Sequence, residues 1–257
     1  MTSPNICAQQ PEESDRGHCD KHGAFSRRVV ALPFGGRRIQ SGCPQCAAER
    51  QAQIDAEDAQ QLASMRAATA RHAMDRAGIP ERFRGARFET YQATEPRQQR
   101  ALTIAQRYAD GHRGGVLVLH GRPGTGKTHL ACAVAAAFLA RNEQPLFMAV
   151  KAAVRHVKDT YRRDSERSET QAIRDLTTPA LLILDEIGVQ LGTEHEMQIL
   201  FEVINERYAA ARPSILISNL DDAALRAFLG DRLMDRVRDG GAVVAFDWDS
   251  YRGKRVA

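Results

Sequence analysis

The chain has 257 residues, 43% hydrophobic and 26% charged, and its 36 basic against 32 acidic side chains leave a formal charge of only +4. Those proportions exclude a fibrous or wholly disordered chain and the heavy positive charge of proteins that coat nucleic acid; the length predicts one substantial domain with a small companion, or two modest ones. The longest near-continuous apolar stretch, Ala131 to Ala140, runs ten residues against the ~20 needed to cross a bilayer. The first thirty residues carry Glu12, Glu13 and Asp15 and lack the apolar run of a secretory leader, so a cytoplasmic protein without a membrane partner is expected.

Four of the five cysteines, Cys7, Cys19, Cys43 and Cys46, fall in the first fifty residues. Cys19-Asp-Lys-His22 and Cys43-Pro-Gln-Cys46 form two C-x2-[CH] pairs, separated by twenty residues. Each pair can present two ligands to one tetrahedral Zn²⁺, and the span between them fits a small ribbon. A segment this polar builds little core, so a metal would supply folding energy that burial cannot. Free cytosolic thiols are the alternative, and His18 and Cys7 are the nearest substitute ligands. Cys132, in an apolar helix further on, reads as core.

From Ala47 to about Gly78 the chain is rich in Ala, Gln, Glu and Arg, which predicts a long, mostly polar helix stopped by Gly78 and Pro80. The basic connector Arg82 to Tyr91 carries Phe83, Phe88 and Tyr91. It reads either as a linker docked on the core or as a ligand-contacting segment. Beyond it, short apolar runs at 116–120, 146–150, 180–184, 214–218 and 242–246 alternate with helical patterns near 127–141, 152–163, 194–210 and 221–229. That pattern predicts an α/β fold, a parallel sheet covered on both faces. The polar segment Asp164 to Thr170 reads as a loop.

The run Gly121-Arg-Pro-Gly-Thr-Gly-Lys127-Thr128 follows the first of these strands and opens the next helix. It satisfies G-x-x-x-x-G-K-[ST] in the strand–loop–helix setting that a phosphate-binding loop requires. Its glycines let backbone N–H groups turn around phosphate oxygens, and the helix N-terminus adds donors and a favourable dipole. Lys127 is expected to reach the β and γ phosphates of ATP or the phosphates of ADP, and the Thr128 hydroxyl to hold Mg²⁺. Gly121, Pro123, Gly124, Thr125, Gly126, Lys127, Thr128 and His129 make up the expected nucleotide-binding set.

Leu181-Leu-Ile-Leu-Asp185-Glu186 is an apolar strand ending in two carboxylates, and open α/β sheets bind ligands at that end. Asp185 is placed to hold the Mg²⁺ and its water. Glu186 could polarise the water that attacks the γ phosphate, which hydrolysis needs and nucleotide storage does not. Asn219, after the next strand, is either a hydrogen-bond partner of that water and phosphate or a turn former.

Lys151, Arg155, Lys158 and Arg162 recur at intervals of four, three and four, on one side of a predicted helix; Val150, Val154, Val157 and Tyr161 form a second stripe. Taken alone, such cations are either a solvated face or a binding track.

Residues 80 to 257 resemble the DnaC/IstB-type family of AAA+ ATPases, which holds the bacterial replicative helicase loaders and the IstB transposition ATPases. The resemblance rests on Gly121 to His129, Leu184-Asp-Glu-Ile-Gly-Val-Gln190, Gly230-Asp-Arg-Leu-Met-Asp-Arg236-Val-Arg238 and the tail Phe246-Asp-Trp-Asp-Ser-Tyr-Arg252. It implies an AAA+ core without a C-terminal lid, Asn219 as a first sensor, and Arg236 as an arginine finger reaching a neighbouring subunit's γ phosphate. Arg252 would sense nucleotide within its own subunit, with Arg232 and Arg238 as lesser candidates. It further implies single-stranded DNA along Lys151, Arg155, Lys158, Tyr161 and Arg162, self-association in the ATP-bound form, and a hexameric replicative helicase as partner. A transposition helper acting on a transposase and duplex DNA is the alternative within the family, and a nucleotide-gated binding module with negligible turnover is the alternative outside it. A small-molecule kinase also needs a phosphate loop, but Glu186, Asn219 and the cysteine pairs fit it poorly. The expected organisation is a zinc module at 1–46, a helical arm at 47–79 and an ATPase domain at 80–257. The cysteine cluster departs from the best-known loaders.

Overall fold

The computed structural model describes residues 15–27, 29–31, 38–111, 115–188 and 193–252. The chain divides into two compact units, Met1–Ala68 and Thr69–Ala257.

In the first unit, β1 (Asp15–Cys19) and β2 (Gly23–Arg27) form an antiparallel hairpin, and β3 (Val29–Ala31) pairs antiparallel with β4 (Arg38–Gln40). Helix α1 (Pro44–Arg76) follows, of which Pro44–Ala68 belong to this unit, with no buried residue along its 33 positions. It matches the polar helix expected from Ala47, and Pro44 at its first position supplies the fixed φ that suits a helix start.

The second unit is built on one sheet. Its strands are β5 (Val116–Gly121), β6 (Pro145–Ala149), β7 (Leu181–Ile187), β8 (Ser214–Ser218) and β9 (Ala242–Phe246), in the order β6-β7-β8-β5-β9, and every neighbouring pair is parallel. All five apolar runs are strands, within a residue or two at most ends, and the parallel sheet is as expected. Alternate residues of each strand point to opposite faces. Leu117, Leu119, Leu181, Ile183, Ile215 and Ile217 therefore enter one core with α2 (Pro96–Asp110) and α3 (Lys127–Ala140). Val116, Val118, Leu182, Leu184 and Leu216 enter a second core, under α4 (Val150–Lys158), α5 (Glu169–Thr177), α6 (Glu194–Ala209) and α7 (Asp222–Arg238).

Several helix boundaries differ from expectation. The helix read over 152–163 ends at Lys158 and tightens into a 3₁₀ turn, Asp159–Tyr161. The polar loop from Asp164 stops at Ser168, whose side chain accepts the Gln171 N–H while Gln171 reaches back, a capping box that starts α5. Helix α2 lies in a stretch for which no helix was expected, although Glu95 and Gln98 form the same reciprocal cap and Ala101, Leu102, Ala105 and Ala109 bury one stripe. Helix α7 continues past the expected 221–229 to Arg238, bending at Gly230, where φ is +67°. Residues after Gly230 form a helix end, one strand and a tail, and the described chain has no lid.

The connector 82–91 is docked. Phe83, Phe88 and Tyr91 pack against the first core, and the Phe147 N–H donates to the Ala77 carbonyl just upstream. Arg207 of α6 is fully buried, and the sequence did not single it out. Its guanidinium donates to the carbonyls of Leu176, Thr177, Pro179 and Pro213 and to the Ser214 hydroxyl, joining the end of α5, the entry to β7 and the start of β8.

Candidate nucleotide site and metal cluster

Strand β5 sits between β8 and β9, and the loop that leaves its C-terminal end turns directly into α3. The turn depends on glycine at Gly124 and Gly126, with φ of +80° and +100°; a Cβ on Gly126 would stand 2.7 Å from the Tyr91 ring. Lys127 is held inward, its Nζ donating to the Gly121 and Arg122 carbonyls at 2.7 Å each. Burial pulls its ammonium down to about 8, against the opposing pull of Asp185.

The two expected Mg²⁺ ligands meet. The Thr128 hydroxyl donates to Asp185 Oδ2 at 3.2 Å, and burial lifts the Asp185 carboxyl above the usual carboxylate range. Two hard oxygen donors converging beside a phosphate loop fit Mg²⁺, which binds through one or two such groups together with substrate phosphates. Glu186 is exposed, with φ at +65°, and its N–H donates to Asp185 Oδ1 at 2.7 Å. The register of β7 against β8 shifts between Leu184 and Ile187, so Glu186 stands out of the ladder at the sheet's ligand-binding end. Asn219 is exposed one residue beyond β8.

His129 faces the connector. Its Nε2 lies 3.1 Å from both the Thr90 hydroxyl and the Arg87 carbonyl, and its ring centroid is 5.7 Å from that of Tyr91. Arg252 packs beside Gly124: a Cβ there would meet its Cγ and Cδ at 3.2 Å and collide with Ser250 Oγ. The contact with Tyr91 and the tail's hold on the loop through Trp248 and Tyr251 were not assigned from sequence, although three aromatic residues in a basic connector were a usable signal. Arg236 lies elsewhere, on α7, with its guanidinium over the Tyr208 ring. Arg232 and Arg238 are exposed on the same helix.

Lys151, Arg155, Lys158, Tyr161 and Arg162 are all exposed on α4 and the turn after it, while Val150, Val154 and Val157 are buried. Lys158 pairs with Glu196 at 3.1 Å and Arg162 with Asp164 at 3.5 Å. The Tyr161 hydroxyl donates to Glu169 at 2.7 Å.

In the first unit, Cys19 ends β1, His22 lies in the hairpin turn, Cys43 precedes α1 and Cys46 is in its first turn. Their ligand atoms all lie within 4.8 Å of one another. Cys19 Sγ is 3.5 Å from Cys46 Sγ, and His22 Nδ1 is 3.2 Å from Cys46 Sγ and 3.6 Å from Cys43 Sγ. Two thiolates on a tetrahedral Zn²⁺ stand about 3.8 Å apart, so this soft, four-donor set fits zinc. Backbone N–H groups of Lys21 and then His22 pull the Cys19 thiol down, while the hydrogen bond with Cys19 pushes Cys46 up. His22 Nε2 pairs with Glu49 at 3.0 Å, which fixes Nδ1 as the ligand atom. His18 is exposed and outside the cluster, Cys7 lies outside the described residues, and Cys132 is buried in α3, as expected.

A family described as IstB-like ATP binding protein matches residues 55–257. The chain belongs to this DnaC/IstB-type family. The chain is 35% identical over 192 residues to a protein named replicative helicase loader DnaC from Escherichia coli strain K12, covering 74% of this chain and 78% of that protein. It is 32% identical over 182 residues to its namesake in Buchnera aphidicola of Schizaphis graminum, covering 70% and 74%. Among solved structures, that of the DnaC helicase loader superposes with a TM-score of 0.58 at 21% identity, over 65% of this chain and 99% of the other. At that identity the superposition speaks for the AAA+ fold. Among the described residues, no helix of this family member is long and apolar enough to cross a membrane.

Proposed function

We propose that the chain is an ATP-hydrolysing switch that loads a replicative, hexameric DNA helicase onto single-stranded DNA and acts as an oligomer. The observation that carries this reading is the convergence of Lys127, Thr128, Asp185 and Glu186 at one end of a parallel sheet, in a chain whose relatives are named as helicase loaders. Lys127 and the loop's N–H groups bind the triphosphate, Thr128 and Asp185 would hold Mg²⁺, and Glu186 and Asn219 orient and polarise the attacking water. A bound Mg²⁺ would neutralise phosphate charge. His129 stiffens the loop against the connector, and Arg252 senses the phosphates from within the subunit.

Hydrolysis requires assembly, because Arg236 acts on the ATP of a neighbouring subunit, where a cation stabilises the charge that develops in phosphoryl transfer. Single-stranded DNA runs along Lys151, Arg155, Lys158, Tyr161 and Arg162, combining a basic track with a stacking platform. In this division residues 80–257 are the ATPase domain, and the zinc-holding segment 1–46 and the arm 47–79 capture the helicase. Deletion of residues 1–78 should then abolish capture and spare nucleotide binding.

The resemblance to IstB-type proteins leaves a second reading, a transposition helper that uses the same ATP site to act on a transposase and duplex DNA. Co-purification from the host separates the two. Recovery of a replicative helicase in ATP, released in ADP, supports the loader; recovery of a transposase instead overturns it. Measured turnover with single-stranded DNA present separates both from a nucleotide-gated module.

A further inference from the structure

The tail grips the phosphate loop through its backbone carbonyls. Trp248 donates its indole Nε1–H to the Thr125 carbonyl at 3.0 Å, and the Tyr251 N–H donates to the Gly124 carbonyl at 2.8 Å. In return, the Arg122 N–H donates to the Phe246 carbonyl at 3.1 Å. Trp248 is only 5% exposed, its ring centroid 4.7 Å from that of Phe246, which has no exposure at all. The tail is tied down on both sides: Asp247 pairs with Arg97 of α2 at 2.7 Å, and the Tyr251 hydroxyl donates to Gln92 at 3.0 Å.

A phosphate loop works only if its N–H groups face the anion, which obliges the intervening carbonyls to face away. Gly124 and Gly126 adopt positive φ and leave the peptides around them free to rotate unless something outside holds them. A carbonyl that accepts a hydrogen bond from the tail cannot turn inward to oppose a phosphate. We propose that Trp248 is a positioning residue for the nucleotide site, its indole N–H fixing the Thr125 carbonyl outward while the Tyr251 N–H fixes that of Gly124. Phosphate on the inner side of the loop and the tail on the outer side bind the same loop conformation, so each stabilises the other. This explains why an indole occupies the position: a phenyl ring would keep much of the packing but leave a nearly buried carbonyl without its donor. The inference rests on the reading of this loop as the ATP site.

The test uses the full chain with ATP and Mg²⁺. Trp248 is the only tryptophan in 257 residues, so ¹⁵N-indole labelling gives one side-chain N–H resonance. That resonance should be protected from exchange in the free protein and move on saturation with nucleotide. By calorimetry, Trp248→Phe should bind ATP about tenfold more weakly than wild type, and added ATP should raise its melting temperature less. Equal affinities, or an indole resonance that exchanges freely and ignores nucleotide, would overturn the positioning role alone. A wild-type chain that takes up no ATP would overturn the site itself and this inference with it. If Trp248→Phe does not fold, the wild-type resonance decides.

Discussion

Arg236 lies over the ring of Tyr208, its guanidinium carbon 4.8 Å from the ring centroid, with Nε buried and without a hydrogen-bond partner among the described residues. The Tyr208 hydroxyl is in turn bound to Asp239. The side chain is held over Tyr208 within its own subunit and forms no ion pair within 4 Å among the described residues, which leaves its charge available for the role in trans proposed above. Arg236→Ala is expected to cut turnover of the assembled protein by about 10³ while changing ATP affinity little. Mixing it with Glu186→Gln, which keeps its arginine, should restore part of the phosphate release. No recovery in the mixture would place Arg236 outside the subunit interface.

Glu186 leaves the β7 ladder with positive φ, a conformation that costs a non-glycine residue of order 1–3 kcal/mol. Glu186→Gln keeps size and backbone but cannot accept a proton. We expect ATP binding within a few-fold of wild type and hydrolysis lower by about 10² to 10⁴, read as phosphate release in the presence of single-stranded DNA. Undiminished turnover would assign the water to another group.

The exposed face of α4 is not uniformly available. Lys158 and Arg162 already have acidic neighbours, Glu196 and Asp164, which the proposed DNA track would require them to exchange for phosphates, whereas Lys151 and Arg155 form no ion pair within 4 Å among the described residues. Removing charge at Lys158 and Arg162 should weaken single-stranded DNA binding and make its dependence on salt shallower, by about 0.7 in the log–log slope for each phosphate no longer neutralised. Tyr161→Ala should weaken it further by roughly 1–3 kcal/mol, with little effect on the salt slope. Filter binding at low salt checks both, and unchanged retention would return this face to ordinary solvation.

The cysteine cluster should carry one zinc per chain, measurable by elemental analysis, and lose it in Cys43→Ser. Glu49 holds the far side of His22, so Glu49→Ala should lower metal affinity by about 10- to 100-fold in competition with a chromogenic chelator. An unchanged affinity would make Glu49 only the partner of Lys21, with which it pairs at 2.6 Å.

What could be read before the structure followed from local rules. The phosphate loop, the Asp185–Glu186 strand end and the paired Cys and His positions are each set by spacing along the chain; the loop and the strand end meet at Thr128 and Asp185, and within the first unit the four Cys and His ligand atoms gather within 4.8 Å of one another. Part of what escaped depends on distant partners. Trp248 and Thr125 are 123 positions apart, and no periodicity links an indole to a loop carbonyl across that distance. Helix α2 had its cap and apolar stripe in plain view, whereas α5 was hidden because a Ser- and Glu-rich run reads as loop until Ser168 is seen to be a cap. Arg207 was invisible because nothing local marks an arginine for burial; charged side chains are almost never fully buried unless paired.

Arg207 therefore gives the last prediction. Its guanidinium has five N–H donors and meets four carbonyls and one hydroxyl, without a carboxylate among these partners. The charge is stabilised by carbonyl dipoles from the chain on either side of the sheet's end, so the residue acts as a staple and not as an ion pair. Arg207→Met keeps the volume but strands those acceptors in the interior, and should cost about 3 kcal/mol, lowering the melting temperature by roughly 6 to 12 °C. Arg207→Lys restores the charge with three donors in place of five and should fall between Met and wild type. Denaturant midpoints read the series. A Met variant as stable as the parent would mean that the carbonyls of Leu176, Thr177, Pro179 and Pro213 find water once the guanidinium is gone.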